Sequence, residues 1–297
     1  MALDEKKVGI AGKPTNPQAC HLALELIAWL NEKQIAFRVD EQLAQCVENK
    51  KCLLSRIGLL KECDPVVVFG GDGTLISVSR NIGEQSPLII GVNVGTLGYL
   101  TECSVDDYLT VLELALRGEV GVIKKQLLEG KIIRDGQSVM SFRGINDVVI
   151  GKGALGRIYG INLFINSDEN AAYFRGDGII IATPAGSTAY SLAAGGAIVH
   201  PRISALLVTP ICSHVLTSRP LVLPGDVKLR MTIADEQYAS VENTKKMYLT
   251  IDGQVGQEIA LGDEIHVSLS AHFVRYAKSQ SRNYFDVLSH KLKWGAV

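Results

Sequence analysis

Pro65-Val66-Val67-Val68-Phe69-Gly70-Gly71-Asp72-Gly73-Thr74 runs an apolar stretch straight into three glycines around one carboxylate. An unbroken series of Val and Phe fits a strand buried on both faces, as strands of a parallel sheet are. The residues behind it, Leu75 to Asn81, read as helix, so the glycine turn falls at the carboxyl edge of the sheet, where α/β proteins bind ligands. Glycines let backbone N–H groups approach phosphate oxygens, and the helix N-terminus adds partial positive charge. Asp72 does not suit a bare anion cradle, because a carboxylate repels phosphate. Its presence points to a magnesium ion or a substrate hydroxyl beside it. The same residues also fit a tight turn whose Asp merely caps the helix, and the downstream segments decide between the two.

Working outward, Val8 to Ala11 reads as a first strand, and Ala19, Leu22, Ala23, Leu26, Ile27 and Leu30 recur on one face of a helix. Short apolar strands at 36–39, 66–69 and 88–92 alternate with helical stretches near 41–61, 74–81 and 105–117, which predicts a parallel α/β sheet. Beyond about residue 125 the period falls to two. Val227, Leu229, Met231 and Ile233 alternate with polar neighbours, as do Ile265, Val267 and Leu269. With further strands at 139–151, 158–166, 178–183, 205–209 and 247–251, this half reads as a β-sandwich. Tyr284, Leu288 and Leu292 return to helical spacing. The expected organisation is therefore a parallel α/β domain over 1–125, an all-β sandwich over 126–272, and a segment 273–297 returning to the first domain.

The bulk composition narrows the function classes. The chain has 297 residues, 47% of them hydrophobic, and a formal net charge of −1. That is enough for two cores, with no basic excess to recruit nucleic acid. No run approaches the roughly 20 apolar residues of a membrane span, and the start lacks the apolar centre of a signal peptide. A cytosolic protein without membrane or nucleic-acid partners is expected. The six cysteines form no C-x-x-C pair and sit mostly among apolar residues. Reduced core thiols are expected, with no disulfide and no zinc site.

Four further segments bear on the phosphate reading. Asn93-Val94-Gly95-Thr96-Leu97-Gly98-Tyr99-Leu100 places a second glycine turn at the same sheet edge, and two such turns make a cleft. Asn146-Asp147 falls inside a predicted strand, an unusual place for a polar pair unless it bonds a ligand or closes an edge. Gly176 to Gly196 reads as a strand, a hydroxyl-rich Pro-Gly turn and a small-residue helix starting at Ser187 or Thr188, whose side chains also serve as ordinary N-caps. Asp252-Gly253-Gln254 reads, in isolation, as a hairpin turn.

Together these segments resemble the NAD kinase family over essentially the whole chain. GGDGT at 70–74 is shared with phosphofructokinases and with diacylglycerol and sphingosine kinases. The match is narrowed by N-x-G-x-L-G at 93–98, T-P-x-G-S-T-A-Y at 183–190, A-G-G at 194–196 and D-G-Q at 252–254. The resemblance implies an N-terminal Rossmann-like domain, a C-terminal β-sandwich domain, and a homodimer or homotetramer that transfers the ATP γ-phosphoryl group to the adenosine ribose 2′-hydroxyl of NAD, with magnesium accompanying the ATP. It makes Asp72 the proton acceptor, with Gly73 beside it at the dinucleotide, and Asn146 and Asp147 the pair that holds the adenosine. Many family members carry Glu where Asp147 stands, so the shorter side chain must sit closer or use a water. Arg157, Arg175 and Asp177 fall where the family lines its NAD site. Thr188, Ala189, Tyr190, Ser191, Leu192 and Ala193 match the segment that contacts NAD in a region built from two subunits, and Gln254 matches a polar residue near the same ligand. Ala185, Tyr99 and Ala197 stand where Thr, Phe and Pro are common. Two other readings are weighed: a diacylglycerol-type lipid kinase, which would want a basic amphipathic segment the chain lacks, and a non-catalytic dinucleotide sensor, against which the intact Asp72 argues.

Overall fold

Every residue of Val8–Gly12 and of Val66–Gly70 is buried, as strands covered on both faces must be. The computed structural model describes residues 7–95, 98–153, 159–166, 170–215, 217–234, 247–279 and 283–294. The chain divides into two units, Met1–Lys124 with His272–Val297, and Lys125–Ala271.

The first unit runs β1 (Val8–Gly12), α1 (Pro17–Glu32), β2 (Phe37–Asp40), β3 (Leu53–Leu54), α2 (Arg56–Glu62), β4 (Val66–Gly70), α3 (Asp72–Ser79), β5 (Leu88–Asn93) and α4 (Tyr108–Arg117). β1 pairs in parallel with β2 and β4, β2 with β3, and β4 with β5. The α/β reading of this half is thereby met, and the carboxyl ends of β4 and β5 share one edge. Ile10, Val67, Phe69 and Ile90 pack with Leu22, Leu26, Leu112 and Leu116 of α1 and α4. The opposite face takes α2 and α3: a Cβ on Gly9 would meet Leu59, and one on Gly91 would meet Leu75. α1 starts where Asn16 accepts the amides of Gln18 and Ala19 with Pro17 at the first turn.

The stretch 41–61, expected as helix, is instead two 3₁₀ turns (Glu41–Cys46 and Lys50–Cys52), then β3 and α2. Asn49 and Ser55 accept the amides of Lys51 and Gly58 and so restart the chain twice. Arg56 then spans the segment. Its guanidinium donates to Asp40 at 2.7 Å, to Gln42 at 2.8 Å and to Ser77 of α3 at 2.9 Å. The cysteine expectation is also corrected. Cys20 of α1 and Cys46 of the first 3₁₀ turn are disulfide-bonded, whereas Cys52, Cys63, Cys103 and Cys212 are free. The two partners are 26 residues apart in sequence and meet only because the turn folds back on the helix, which no local spacing announces.

The second unit runs β6 (Val122–Arg134), β7 (Gln137–Gly144), β8 (Asp147–Lys152), β9 (Tyr159–Ile165), β10 (Asn170–Gly176), β11 (Gly178–Ala182), a 3₁₀ turn at Ala185–Thr188, α5 (Tyr190–Ala193), β12 (Ala205–Ile211), β13 (Leu221–Pro224), β14 (Lys228–Ala234), β15 (Met247–Ile251), β16 (Val255–Ile259) and β17 (Glu264–Ala277). One antiparallel sheet has the order β13-β12-β11-β8-β15-β16. The other joins β10, β9, β14 and the first part of β17, with β6 pairing to β17 and β7. Val148, Ile150, Ile179 and Leu206 of the one sheet pack with Ile161, Leu163, Leu229 and Ile265 of the other in a single core. This is the expected sandwich. The small-residue helix expected from 187 is a 3₁₀ turn followed by only four helical residues.

At the end of β17, Arg275 and Tyr276 pair in parallel with β5 of the first unit. The Tyr276 hydroxyl meets Ser79 at 2.9 Å in the interior. α6 (Tyr284–Leu292) buries Leu288 in the same unit and sets Lys291 over the Tyr99 ring.

Candidate functional site

The first unit places Asp72 as the opening residue of α3, behind Gly71 at the N-cap, which makes no side-chain cap. The Asp72 carboxylate does not cap the helix either. It reaches the turn after β5, where Oδ2 accepts the amide of Tyr99 at 2.7 Å and Oδ1 those of Leu100 at 3.0 Å and Thr101 at 3.2 Å. A Cβ on Gly98 would collide with Asp72 Oδ1, so glycine is what lets the turn come this close. Burial first, and the Asp72 charge second, push the Tyr99 phenol up. The second glycine turn does lie beside the first, and its amides at residues 99–101 are spent on Asp72. Thr96 and Leu97 lie outside the described residues.

An ionised carboxylate offers about four acceptor positions. Three are taken, which leaves one on Oδ2 for a hydroxyl. Beside it, Gly71 has φ −92°, where any residue is at ease, and a Cβ built on it meets nothing within 4 Å. The same open space surrounds Gly95. Neither backbone strain nor protein packing asks for glycine at 71. The space it leaves is available to a ligand approaching the backbone.

In the second unit, Asn146 and Asp147 sit at a break rather than inside one strand. β7 ends at Gly144 and β8 begins at Asp147. Asp252 makes that break. Its backbone is left-handed, φ +51°. Its Oδ1 accepts the amides of Ile145 at 3.0 Å, Asn146 at 2.7 Å and Asp147 at 3.2 Å, and Oδ2 shares that of Ile145. From the other side the Thr183 hydroxyl donates to the Ile145 carbonyl at 2.6 Å, and the Thr183 amide donates to the Asn146 carbonyl at 2.9 Å. A Cβ on Gly186 would strike Asn146. The Asn146 backbone is thus held on three sides, and no hydrogen bond to its side-chain amide is found among the described residues. Asp147 is only 4% exposed. Burial first, and the Asp252 charge second, push its carboxyl up to about 7.

Sequence reasoning marked Asn146 and Asp147 but missed Asp252 and Thr183 as the residues that hold them. Their signal was the D-G-Q and T-P-x-G motifs, read as turns. Gln254 lies exposed in the Asp252 turn, its amide on the Ile251 carbonyl. The segment 188–193 follows the same end of β11. Ser191 is buried against Thr209 at 2.8 Å and Thr188 donates to the Ala185 carbonyl, while Tyr190 is exposed. Ala189 and Leu192 are half-buried, and Ala193 is exposed. Arg175 and Asp177 are not brought to this cluster. Asp147 pairs with Ala182 at one end of β11, whereas Asp177 precedes Gly178 at the other, about 17 Å away at strand rise. Asp177 there binds Lys152 at 2.7 Å. Arg157 lies outside the described residues, and Gly73 is exposed at the start of α3. No cluster of three His, Cys, Asp or Glu side chains able to hold a metal occurs among the described residues.

Among known proteins, residues 8–120 match the family model of the ATP-NAD kinase N-terminal domain and residues 145–279 that of the ATP-NAD kinase C-terminal domain. An NAD kinase of Geobacter sulfurreducens is 43% identical over 295 residues, covering 98% of this chain and 99% of the relative. An NAD kinase of Solibacter usitatus is 40% identical over 290 residues, covering 98% of each. Of solved structures, yeast NADH kinase complexed with NADH has a TM-score of 0.89 at 25% identity, over 99% of this chain and 89% of that one. An NAD kinase from Archaeoglobus fulgidus in complex with ATP shares the fold, with a TM-score of 0.71 at 19% identity over 97% of this chain and 98% of that one.

Two predictions follow from this geometry. Gly98→Ala should lower the melting temperature of the first unit by several degrees, because its Cβ must displace Asp72. Gly71→Ala should melt with the wild type yet lose activity, and equal melting of all three proteins would contradict the packing described. The second concerns Asp147, whose carboxyl is raised in the folded state above the ordinary value near ~3.9. The folded protein therefore holds a proton that the unfolded chain has released between about pH 4 and 7. Stability from this group is full below that window and falls as pH rises through it. Asp147→Asn removes the loss. Its melting temperature relative to wild type should climb from pH 4 to pH 8, by up to about 4 kcal/mol of stability, and a pH-independent difference would contradict the assignment.

Proposed function

The chain belongs to the ATP-NAD kinase family, and from that membership we propose how its residues divide the transfer of the ATP γ-phosphoryl group to the adenosine ribose 2′-hydroxyl of NAD. The enzyme is a phosphotransferase acting on a hydroxyl group, with ATP and NAD as substrates and NADP as product. The lipid-kinase and sensor readings are not supported, since the relatives matching 98% of the chain are NAD kinases.

Asp72 carries the chemistry in this reading, and the observation behind it is the single acceptor position its carboxylate retains. A ribose hydroxyl is a far weaker acid than a carboxylic acid, so full deprotonation before attack would be steeply uphill. In a loose transition state the nucleophile keeps its proton until bonding to phosphorus has begun. Asp72 therefore orients the hydroxyl and takes the proton late, while the three amides of 99–101 hold its carboxylate in place. The open backbone at Gly71 receives phosphate oxygens at the N-terminus of α3, with Gly73 exposed beside it. We assign the divalent ion that phosphoryl transfer calls for to the ATP phosphates. Such an ion, magnesium, supplies charge neutralisation on those phosphates.

The second unit contributes recognition. Asn146 and Asp147 hold the adenosine so that the 2′-oxygen is presented, and Thr188–Ala193 with Gln254 contact the same ligand. Tyr99, Ala185 and Ala197, which depart from common family residues, remove no chemical group from this scheme. Arg175 and Asp177 lie at the far end of β11 from Asn146, and in our reading they serve the site of a second copy in a homodimer or homotetramer. Sedimentation of a fully active species near 32 kDa would contradict that assembly. We place the enzyme in the cytosol, where its substrates are. No helix among the described residues is long and apolar enough to cross a membrane.

Incubation with ATP, magnesium and NAD should yield NADP. Asp72→Asn should lower kcat by about 10² to 10⁴ with a much smaller change in the KM for NAD. Near wild-type turnover in that variant would remove Asp72 from the role of proton acceptor.

A further inference from the structure

We infer that Asp147 meets the dinucleotide as a neutral carboxylic acid whose O–H donates to an acceptor atom of the ligand, so that it selects by donating rather than by accepting. The inference rests on the reading that the second unit's polar pair holds NAD. It starts from burial. The Asp147 side chain lies in the interior, yet no hydrogen bond or ion pair to its carboxyl is found among the described residues. Its backbone, by contrast, is fully engaged with Asp252: the Asp147 amide donates to the Asp252 carboxylate and the Asp147 carbonyl accepts the Asp252 amide at 2.9 Å. Two carboxyl groups are thereby held side by side, and like charges so placed cannot both ionise cheaply.

The structure distributes the one negative charge between them unequally. Asp252 is wrapped by the amides of Ile145, Asn146 and Asp147, which stabilise an anion. Asp147 has no such donors among the described residues. Of the elements packed against it, β11 and residues 183–188 bring no titratable side chain, β15 brings Tyr248, the following turn brings Asp252, and β7 brings Arg143. Burial acts first on the Asp147 carboxyl, and among the described residues only Asp252 adds to it through its charge, in the same direction. The proton therefore belongs on Asp147 at and below neutral pH. A protonated carboxyl offers one O–H, matched to a purine ring nitrogen or a ribose oxygen, and Asn146 beside it keeps an amide that both donates and accepts.

The test compares wild type, Asp147→Asn and Asp147→Ala by the KM for NAD at saturating ATP from pH 5.5 to 8.5, each protein first shown folded by its melting curve. Asn keeps a donor at the same place and does not titrate, whereas Ala keeps nothing. The wild-type KM should rise several-fold between pH 7 and 8.5. Asp147→Asn should stay within about threefold of wild type at pH 6 and lose that rise. Asp147→Ala should be weaker by about 10- to 100-fold at pH 6. If Asp147→Ala does not fold, the wild-type profile and Asp147→Asn still decide. A wild-type KM flat in pH, or Asp147→Asn as weak as Asp147→Ala at pH 6, would overturn the inference and leave the kinase reading standing. Absence of NADP from the wild type at every pH would overturn both.

Discussion

Backbone amides without partners are what a turn leaves behind, and in this chain two aspartates each collect three in succession. Asp72 takes those of Tyr99, Leu100 and Thr101, and Asp252 takes those of Ile145, Asn146 and Asp147. A buried or half-buried amide must be satisfied, and hydrogen bonds to a charged acceptor are stronger than neutral ones, of order 1.5–3 kcal/mol net each. The turns that carry the candidate chemistry are thus fixed by carboxylates, without a helix or a ladder through them.

The two clasps do different things with the same device. In the first unit the clasping residue is itself the one we propose as proton acceptor. Asp72 is anchored at the start of α3, behind a strand buried on both faces, and retains one acceptor position. Arg56, tied to Asp40, Gln42 and Ser77, locks that helix to the end of β2. In the second unit the clasping residue stays behind the site. Asp252 forces β7 and β8 apart, turns the Asn146 side chain free of the ladder, and lends its charge to keep Asp147 protonated. Thr183 and Gly186 close the opposite side. Positioning of this kind is what phosphoryl transfer demands of a protein, since little covalent chemistry is left for it to do.

Much of the fold was legible because burial writes itself into local pattern. The Val-Phe run before Gly70 reads as a two-sided strand because it is one, and the alternation at 227–233 reads as a half-buried strand for the same reason. Asp72 drew notice because a carboxylate among glycines of the kind that can cradle phosphate is chemically odd. What stayed hidden has long-range causes. The break at Asn146 is made by Asp252, 106 residues away, so a period-two pattern ran through it unmarked. That Asp72 claims the amides of 99–101 is invisible in the sequence, because the partners are 27 to 29 residues apart. The helix expected over 41–61 fails because Asn49 and Ser55 offer local side-chain acceptors that outcompete a continuous helix, and the Cys20–Cys46 pairing depends on that refolded segment.

Amide hydrogen exchange in the ligand-free protein, read residue by residue by NMR, tests the clasps most directly. Residues 99–101 and 145–147 lie in turns or at strand ends, where amides ordinarily exchange fast. Protection at these six amides comparable to that of the neighbouring strands, lost at 145–147 alone when Asp252 is replaced by Ala, is the predicted result. Fast exchange at these positions in the wild type would contradict the account, because the carboxylates would then not be holding the turns.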